Sequence, residues 1–571
     1  MLLFRPFLLA SFALVAAPAS AASPRDELLR VAPPDAALLV LVQNARNHLQ
    51  NLEESPFAKW FPQSQLGKQL LAGVDLKLAQ DSVAPLFAAL GIKPEELVTD
   101  VFGDAIAFAY TPPPNDDGKG ERAVALIRPR KHETLVKLVA KLNELQIASG
   151  EVKAVVPRRH RSEEYFERQK PNGGSSDFYC FRSGVFAFSG TEPDIQAVID
   201  RDKAGTDKPP ELVAKLAKLG VGDAFAVALV NPRLFDAELK AKVAKANGSV
   251  KALLARFQEI WLALDSAAVY LTFDKDFETG LSLHFQPNKV PAAAKGWLTG
   301  PRMNAAIWQA IPDNALFAIA GRFKASDLIE TIGSLAPGDG SNPIKAAAEQ
   351  LLGPVFGKDK LPHVLDALGP HWALWAEAPP ANGGFLPVLV AAVQIDNSGP
   401  KGKEAAREIA RAVGFGFNAA RVAYNAGHAD QIELVETEDG DVVITSLVNE
   451  KAFPPGFRPS YAFKAGYLVV STSPDAIQRF QEPKANPAAR SEATLARFSG
   501  TAAREYLQTH RERLAKFLAS AGRGEEKDLA KQFEQALAVL ELVDRMEVFT
   551  RGGDTGIRIG AKFTFAKPLK K

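Results

Sequence analysis

Two stretches that lie far apart in the chain share one pattern: Phe178-Tyr-Cys-Phe-Arg-Ser-Gly-Val-Phe-Ala-Phe-Ser189 and Ser460-Tyr-Ala-Phe-Lys-Ala-Gly-Tyr-Leu-Val-Val-Ser471. Four residues of the first stretch recur 282 positions later: Tyr179, Phe181, Gly184 and Ser189. Apolar residues alternate on both sides of the glycine, which is typical of two strands joined by a turn. Pro-Asp follows each stretch and suits the first turn of a helix. We therefore predict, in both places, a β-hairpin that turns at the glycine and is followed by a helix.

Three further pairs of stretches keep the same order along the chain, at offsets that stay between 266 and 282. They are Pro34-Asp-Ala-Ala-Leu38 with Pro312-Asp-Asn-Ala-Leu316, Phe102-Gly-Asp-Ala-Ile-Ala107 with Leu368-Gly-Pro-His-Trp-Ala373, and Thr279-Gly-Leu-Ser-Leu-His-Phe285 with Thr555-Gly-Ile-Arg-Ile-Gly-Ala561. Chance similarity does not give so many pairs in register, so the pattern indicates an internal duplication. Hairpins with tight turns favour antiparallel sheets with helices packed on them.

The predicted fold class is therefore α+β, with two tandem homologous modules that each have their own largely antiparallel sheet. Residues 31–286 should superpose on residues 311–565 with the same strand order. Different topologies of the two halves, or a single sheet shared by both, would refute this prediction.

The N-terminus has the order of a secretory signal: Arg5, an apolar run from Phe7 to Ala17, and the small residues Pro18-Ala-Ser-Ala21. The run is shorter than the ~20 residues that span a bilayer; an amphipathic or buried N-terminal helix is the alternative. We predict a signal peptide over 1–21, module one over 22–290, a linker over 291–301 and module two over 302–571. This organisation predicts a secreted or periplasmic protein with no transmembrane segment after cleavage.

Composition and charge narrow the class of protein. Hydrophobic residues make up 47% and charged residues 23%, which is typical of a globular chain. The net charge of +2 argues against a nucleic-acid partner, which requires a strong basic excess. Cys180 is the only cysteine, so an internal disulfide is excluded. Because Cys180 alternates with Tyr179 and is replaced by Ala462 in the second stretch, we predict a buried, apolar role for it rather than a nucleophilic one.

Motifs for catalysis and metal binding are incomplete. Ser398-Gly-Pro-Lys401 fits S-x-x-K, but that chemistry needs a helix and we expect a loop at Gly399-Pro400. His132-Glu133 lacks the second histidine of H-E-x-x-H, and Gly414-x-Gly416-x-x-Ala419 follows a predicted helix instead of a strand. The sequence therefore predicts no catalytic site, no metal site and no cofactor.

Equivalent hairpins in the two predicted modules carry opposite charges. The first has Arg158, Arg159 and Arg161, and the second has Glu433, Glu436, Glu438, Asp439 and Asp441. Charge runs usually face water. The alternative is that these possible interaction patches dock one module, or one molecule, on another.

The Pro-Asp-x-Ala-Leu openings, the Tyr-x-Phe-x-x-Gly hairpins and the signal peptide together resemble a family of secreted bacterial proteins with a domain of unknown function. The resemblance covers nearly all of the mature chain. It implies an envelope or extracellular location and brings no activity with it.

These observations predict an exported, non-enzymatic binding or structural protein of the cell envelope, whose partner is an unknown protein or envelope component. A periplasmic carrier of a lipid or hydrophobic ligand is the first alternative, suggested by 35 phenylalanines and amphipathic helices. A hydrolase with an unrecognised site is the second. A carrier needs a large apolar cavity, whereas an enzyme needs convergent polar groups with perturbed pKa values.

Overall fold

The computed structural model describes residues 23–566 except 65–66, 69–86, 114–119, 205–209, 275, 292–293, 296–297, 299–302, 336–341, 381–382, 485–491 and 554. The predicted signal peptide lies outside the described residues. Helices and one antiparallel sheet of twenty described strands build the chain, which confirms the α+β class.

Ten strands belong to the first half of the chain: β1 (Leu38–Gln43), β2 (Ala105–Thr111), β3 (Arg122–Arg128), β4 (Ala154–His160), β5 (Glu163–Gln169), β6 (Asp177–Arg182), β7 (Val185–Ser189), β8 (Ala226–Val230), β9 (Leu264–Phe273) and β10 (Phe277–Phe285). Ten belong to the second half: β11 (Phe317–Arg322), β12 (Leu368–Glu377), β13 (Val388–Ile395), β14 (Glu433–Asp439), β15 (Val442–Val448), β16 (Ser460–Lys464), β17 (Tyr467–Ser471), β18 (Glu492–Ser499), β19 (Val543–Gly553) and β20 (Gly556–Phe565).

The α-helices longer than one turn follow the same division. The first half contains α1 (Pro24–Val31), α2 (Ala45–Glu54), α3 (Pro56–Trp60), α4 (His132–Ala148), α5 (Glu192–Lys203), α6 (Glu211–Leu219), α7 (Asp236–Lys245) and α8 (Gly248–Ala263). The second half contains α9 (Ala325–Leu335), α10 (Pro343–Phe356), α11 (Leu361–Ala367), α12 (Gly399–Asn425), α13 (Pro474–Arg479), α14 (Gly500–Ser520) and α15 (Glu526–Leu540). No helix in these described ranges is both long and apolar enough to cross a membrane.

The two halves have the same strand order. From its outer edge, the first half runs β4-β5-β6-β7-β3-β2-β1-β8-β9-β10. The second half runs β14-β15-β16-β17-β13-β12-β11-β18-β19-β20.

The prediction of two separate sheets is wrong, because β10 pairs with β20 and joins the halves into one sheet. The last hairpin of each half leaves one strand with an open edge, and these two edges satisfy each other's backbone groups. Gly280 lies opposite Gly560 in this seam. A Cβ on either glycine would lie within 3 Å of neighbouring atoms, including the Tyr270 hydroxyl, so the close approach requires glycine.

Ion pairs reinforce the seam, with acidic groups from the first half and basic groups from the second. Arg551 donates to Glu278 at 2.9 and 3.2 Å, and Lys562 lies 2.9 Å from Asp276. Arg558 donates to the carbonyl oxygen of Leu219 at 3.0 Å and lies over the ring of Tyr270. These contacts, rather than the charged hairpins β4–β5 and β14–β15, connect the two halves.

The quoted hairpins form as predicted. Ser183 and Gly184 have φ values of 46° and 80°, and Ala465 and Gly466 have values of 55° and 77°. Positive φ at both turn residues matches the right-handed twist of the flanking strands. The helices α5 and α13 follow, so the prediction of a hairpin and a helix is confirmed in both halves.

Helices cover both faces of the sheet in the first half. The helices α1, α5 and α6 bury apolar side chains on one face together with Leu126, Cys180 and Tyr270. On the other face α4 packs Leu135 and Leu138 against Tyr179 and Phe186. Cys180 is buried, as predicted, with its neighbour Tyr179 on the opposite face.

The expectation of a loop at Gly399-Pro400 is wrong, because α12 begins at Gly399 with Ser398 at its N-cap. Proline is compatible with the first helical turn, where its missing N–H would have no intrahelical partner. The helix continues through Gly414 and Gly416, so the expectation that no strand precedes these glycines is confirmed.

Candidate functional site

The basic patch predicted from sequence lies on β4 and the turn after it. Arg158 forms an ion pair with Glu167 at 2.6 Å, and Arg161 lies 3.1 Å from Asp200. Arg159 is exposed and has no hydrogen bond or ion pair with any described residue. Of the three arginines, Arg159 is therefore the one free to bind another molecule.

The acidic patch lies on β14 and its turn. Asp439 accepts a hydrogen bond from Lys464 at 2.9 Å. The other four carboxylates are exposed and have no partner among the described residues: Glu433, Glu436, Glu438 and Asp441. The strands β4 and β14 are the first and last in the strand order, so the sheet places the two patches at its opposite ends.

A second site, which the sequence analysis missed, lies between α4 and the sheet of the first half. It is a pocket of about 240 Å³. Its walls are aliphatic and aromatic side chains from α4, β3, β6, β7 and the segment before β2: Val101, Phe102, Ile127, Leu135, Leu138, Val139, Leu142, Tyr179, Phe186 and Phe188. An apolar cavity of about 150 Å³ already binds benzene, so this volume suffices for a small apolar group.

Three polar side chains line the same pocket: Asn143, Gln146 and Arg168. Asn143 donates to the Tyr179 hydroxyl at 3.1 Å, and burial raises the pKa of Tyr179, which keeps its hydroxyl neutral. Arg168 donates to Gln146, and its Nη1 lies 3.7 Å from Asp177. The Nε of Arg168 is buried without a hydrogen-bond partner in the described chain. A ligand oxygen that accepted from this Nε would satisfy the buried donor.

The sheet register extends the apolar surface away from this pocket. Directly paired residues on ten strands form what we call the apolar row: Phe166, Tyr179, Phe188, Ala125, Phe108, Val40, Ala228, Val269, Leu281 and Ile559. Paired residues lie on the same face of a sheet. The row therefore leads from the pocket walls at Tyr179 and Phe188 across the seam.

The apolar row is open to solvent from Phe108 to its end at Ile559. Its five large side chains from Phe108 to Ile559 are between 36% and 54% exposed. At ~4.8 Å per strand, the six strands from β2 to β20 give this open part a length of about 24 Å. Monomeric proteins rarely leave contiguous apolar surface of this kind uncovered, and such patches mark binding sites.

Sequence alternation alone could not reveal the row. An antiparallel sheet commonly has one apolar and one polar face, but β1 (Leu38–Gln43) is apolar on both: Leu39 and Leu41 are buried, while Val40 is 36% exposed. Continuous apolar runs such as Leu38-Leu-Val-Leu-Val42 were the available signal. Such a run indicates a strand that needs cover on both faces.

The corresponding part of the second half is filled. Tyr461, the counterpart of Tyr179, packs edge-on against Phe417 with ring centroids 4.6 Å apart. The helices α11 and α12 bury Val364, Ala405 and Ile409 with Leu468 in the same region. The pocket is thus a property of the first half, whereas the equivalent sheet face of the second half also exposes apolar side chains: Phe317, Leu374 and Leu389.

The described residues contain no group of three or more histidine, cysteine, aspartate or glutamate side chains that could hold a metal ion. Comparison with protein families, with curated proteins and with solved structures finds no match. The predicted resemblance to secreted bacterial proteins stays a prediction.

Proposed function

We propose that this chain is an exported, non-enzymatic binding protein whose ligand is a hydrophobic or amphiphilic molecule. One observation carries the proposal: an apolar row continues in register from a pocket under α4 to an open sheet face. The proposal joins the binding role predicted from sequence with its first alternative, a periplasmic carrier. The predicted signal peptide supports export.

The dimensions of the site favour an acyl chain. Since the hydrocarbon core of a bilayer is ~30 Å thick, the tail of one lipid extends about 15 Å. The open part of the apolar row is longer than this, at about 24 Å. The pocket alone, at about 240 Å³, is smaller than the ~300–1,000 Å³ of typical ligand sites, so the open row has to contribute.

The polar end of the pocket favours an anionic head group. Arg168 carries a positive charge, and its Nε lacks a partner among the described residues. A carboxylate can accept from this donor in a charge-assisted hydrogen bond, which is stronger than a neutral one. An amine head group would meet the guanidinium with like charge. Long-chain carboxylates are therefore the proposed ligand class.

The test is a titration of the mature protein with the anionic apolar dye ANS, followed by displacement with dodecanoate. Val269→Lys, in the open part of the row, should weaken dodecanoate binding about tenfold, which corresponds to ~1.4 kcal/mol. Val250→Lys on α8 is the matched control, because Val250 is 56% exposed and Val269 is 54% exposed. It should leave binding unchanged.

Two results would contradict the proposal. Equal affinity of wild type and Val269→Lys for dodecanoate would remove the open row from the site. Displacement of the dye by dodecylammonium as effective as displacement by dodecanoate would remove the role of Arg168. Circular dichroism of each variant checks that the fold persists.

We further infer that the two halves descend from one duplicated module, with 22–290 and 302–571 as the two copies. The identical strand order and the equivalent hairpins support this inference. The shared sheet counts against two independent modules. It does not conflict with a common origin, because the pairing of β10 with β20 leaves the order within each half unchanged. Superposition of residues 31–286 on 311–565 in an experimental structure would test it.

A further inference from the structure

The two outer strands of the sheet have unpaired edges. Among the described strands, β4 pairs only with β5, and β14 pairs only with β15. Each outer strand ends in a two-residue turn, at Arg161-Ser162 and at Gly440-Asp441. Such edges offer backbone N–H and C=O groups to another strand.

The hairpin geometry tells which residues face outward. In a hairpin with a two-residue turn, the residues next to the turn bond to each other, and bonded and non-bonded pairs then alternate. His160 and Asp439 are next to their turns. The backbone groups of Arg159 and Glu438 therefore point away from β5 and β15, toward the open edges.

One antiparallel register between β4 of one molecule and β14 of another matches every charge of the basic patch. Placing Arg159 opposite Glu438 also places Arg158 opposite Asp439 and Arg161 opposite Glu436. Arg159, Glu436 and Glu438 have no partner within the described chain, so they are free to pair between molecules. Like charges do not meet in these three positions.

We propose that the protein associates with a second copy of itself head to tail, by antiparallel pairing of the basic edge β4 with the acidic edge β14. Because the two surfaces differ, each molecule keeps one free edge of each kind. Contacts of this type produce open chains or rings rather than closed dimers. This proposal is independent of the ligand site.

Pro157 makes the contact short. It stands two residues before Arg159, at the next outward-facing position, and has no N–H to donate. Backbone pairing is therefore confined to the end of β4. Arg159 and Glu438, which are both free, provide most of the specificity, because Arg158, Arg161 and Asp439 already have partners within the chain. Association should accordingly be weak and strongly dependent on ionic strength, since exposed charges are screened over ~8–10 Å at 0.1–0.15 M salt.

Cysteine cross-linking tests the register. Directly opposed residues of a bonded antiparallel pair have Cα atoms ~5.5 Å apart, which a disulfide can bridge. A mixture of Arg159→Cys and Glu438→Cys proteins should form a mixed disulfide-linked dimer under mild oxidation. Each variant alone should stay largely monomeric, because head-to-tail contact brings unlike edges together. The native Cys180 is buried and does not compete.

A matched control replaces Arg159→Cys with Arg411→Cys, whose parent side chain is 73% exposed on α12. Mixed dimer from Arg411→Cys and Glu438→Cys at the same rate would overturn the proposal, as would cross-linking of Arg159→Cys alone at that rate. In sedimentation, wild type should show concentration-dependent association at 20 mM NaCl and at least a tenfold weaker one at 500 mM. A single monomeric species at both salt concentrations would overturn the proposal. The charges and Pro157 would then serve to prevent pairing at the open edges.

Discussion

The two halves of the chain share a strand order but differ where a ligand could bind. In the first half, Tyr179 lines an open pocket and its hydroxyl accepts from Asn143. In the second half, the equivalent Tyr461 is covered by Phe417 and its hydroxyl approaches Gly414. The shared backbone topology therefore allows a pocket in either half. The side chains at a few equivalent positions decide whether the pocket exists.

Other parts of the pocket wall also differ between the two halves. Phe186 and Phe188 in β7 correspond to Leu468 and Val470 in β17, at the offset of 282. The helix over the pocket, α4, has 17 residues, whereas α12 has 27. The shorter helix leaves space in the first half, and the aromatic side chains of β7 line this space. The second half uses that space for its own core.

On the opposite face of the sheet, the larger buried side chain lies in the second half instead of the first. Ala109 in the first half corresponds to Trp375 in the second, at the offset of 266, and both are buried. Trp375 stacks on Phe480 and donates to Glu377 at 2.7 Å. At this position the second half therefore buries a large ring where the first half buries only a methyl group.

The largest expected effect tests this difference in the cores. Trp375→Ala should lower the free energy of unfolding by about 3–5 kcal/mol, because it removes a large buried side chain and leaves a cavity. Urea denaturation followed by circular dichroism measures the change. Phe415→Ala is the control, since Phe415 is 66% exposed, and it should change stability by less than ~0.5 kcal/mol.

If the loss for Trp375→Ala stays below ~1 kcal/mol, the ring is not a main support of the second half and the comparison of the two cores fails. Dodecanoate binding measured below the unfolding transition should be unaffected, because the site lies in the first half. A loss of binding in the folded variant would show that the halves are coupled beyond the seam.

A smaller effect tests the difference between the pockets. Leu142→Trp should lower dodecanoate affinity about tenfold, or ~1.4 kcal/mol, because the indole occupies the space beside Tyr179. Leu142 is half-buried and lines the pocket, so the ring can enter it from the helix. Competition with ANS measures the affinity. Leu351→Trp on α10 is the control, since Leu351 is 74% exposed; unchanged affinity is expected there.

Unchanged binding by Leu142→Trp, in a variant with native circular dichroism, would place the ligand on the open row alone. It would also remove the contrast between an open pocket in the first half and its filled counterpart in the second half as the basis of function. A reduced affinity in the Leu351→Trp control would instead indicate a general effect of the added tryptophan.

Local features of this fold could be predicted from the sequence because their causes lie within a few residues. The turns at Gly184 and Gly466 follow from glycine's tolerance of positive φ. The burial of Cys180 follows from alternation along one strand. The start of α12 at Gly399 does not follow from the sequence, because a Gly-Pro pair is typical of a loop, although proline also suits the first helical turn.

Long-range features could not be predicted because their causes lie in register. The pairing of β10 with β20 joins residues that are more than 270 positions apart, and each strand alone looks like an ordinary hairpin edge. The apolar row needs nine strand pairings before it becomes visible. The charged residues of β4 and β14 were found from sequence, but only the strand order shows that they lie at opposite ends of the sheet.

The smallest effect concerns Cys180 and its counterpart Ala462, which occupy equivalent positions in the two cores. Burial raises the pKa of the Cys180 thiol to about 12. Only the thiolate reacts with alkylating reagents, so at pH 8 the native protein should react with iodoacetamide at least a hundredfold more slowly than the urea-unfolded protein.

Because the folded state holds this proton more tightly than the unfolded state, whose thiol pKa is ~8.5, the contribution of Cys180 to stability is present below pH 8.5 and declines above it. Cys180→Ala should remove that decline while costing roughly 1 kcal/mol near pH 7, as expected for a small change at a site where the other half already has alanine. Tyrosines that titrate at high pH are the same in both proteins, so they cancel in the difference between the two urea series from pH 7 to 10. Equal slopes in the two series, or rapid alkylation of the native protein, would mean that Cys180 reaches solvent, and that this position is packed differently in the two halves.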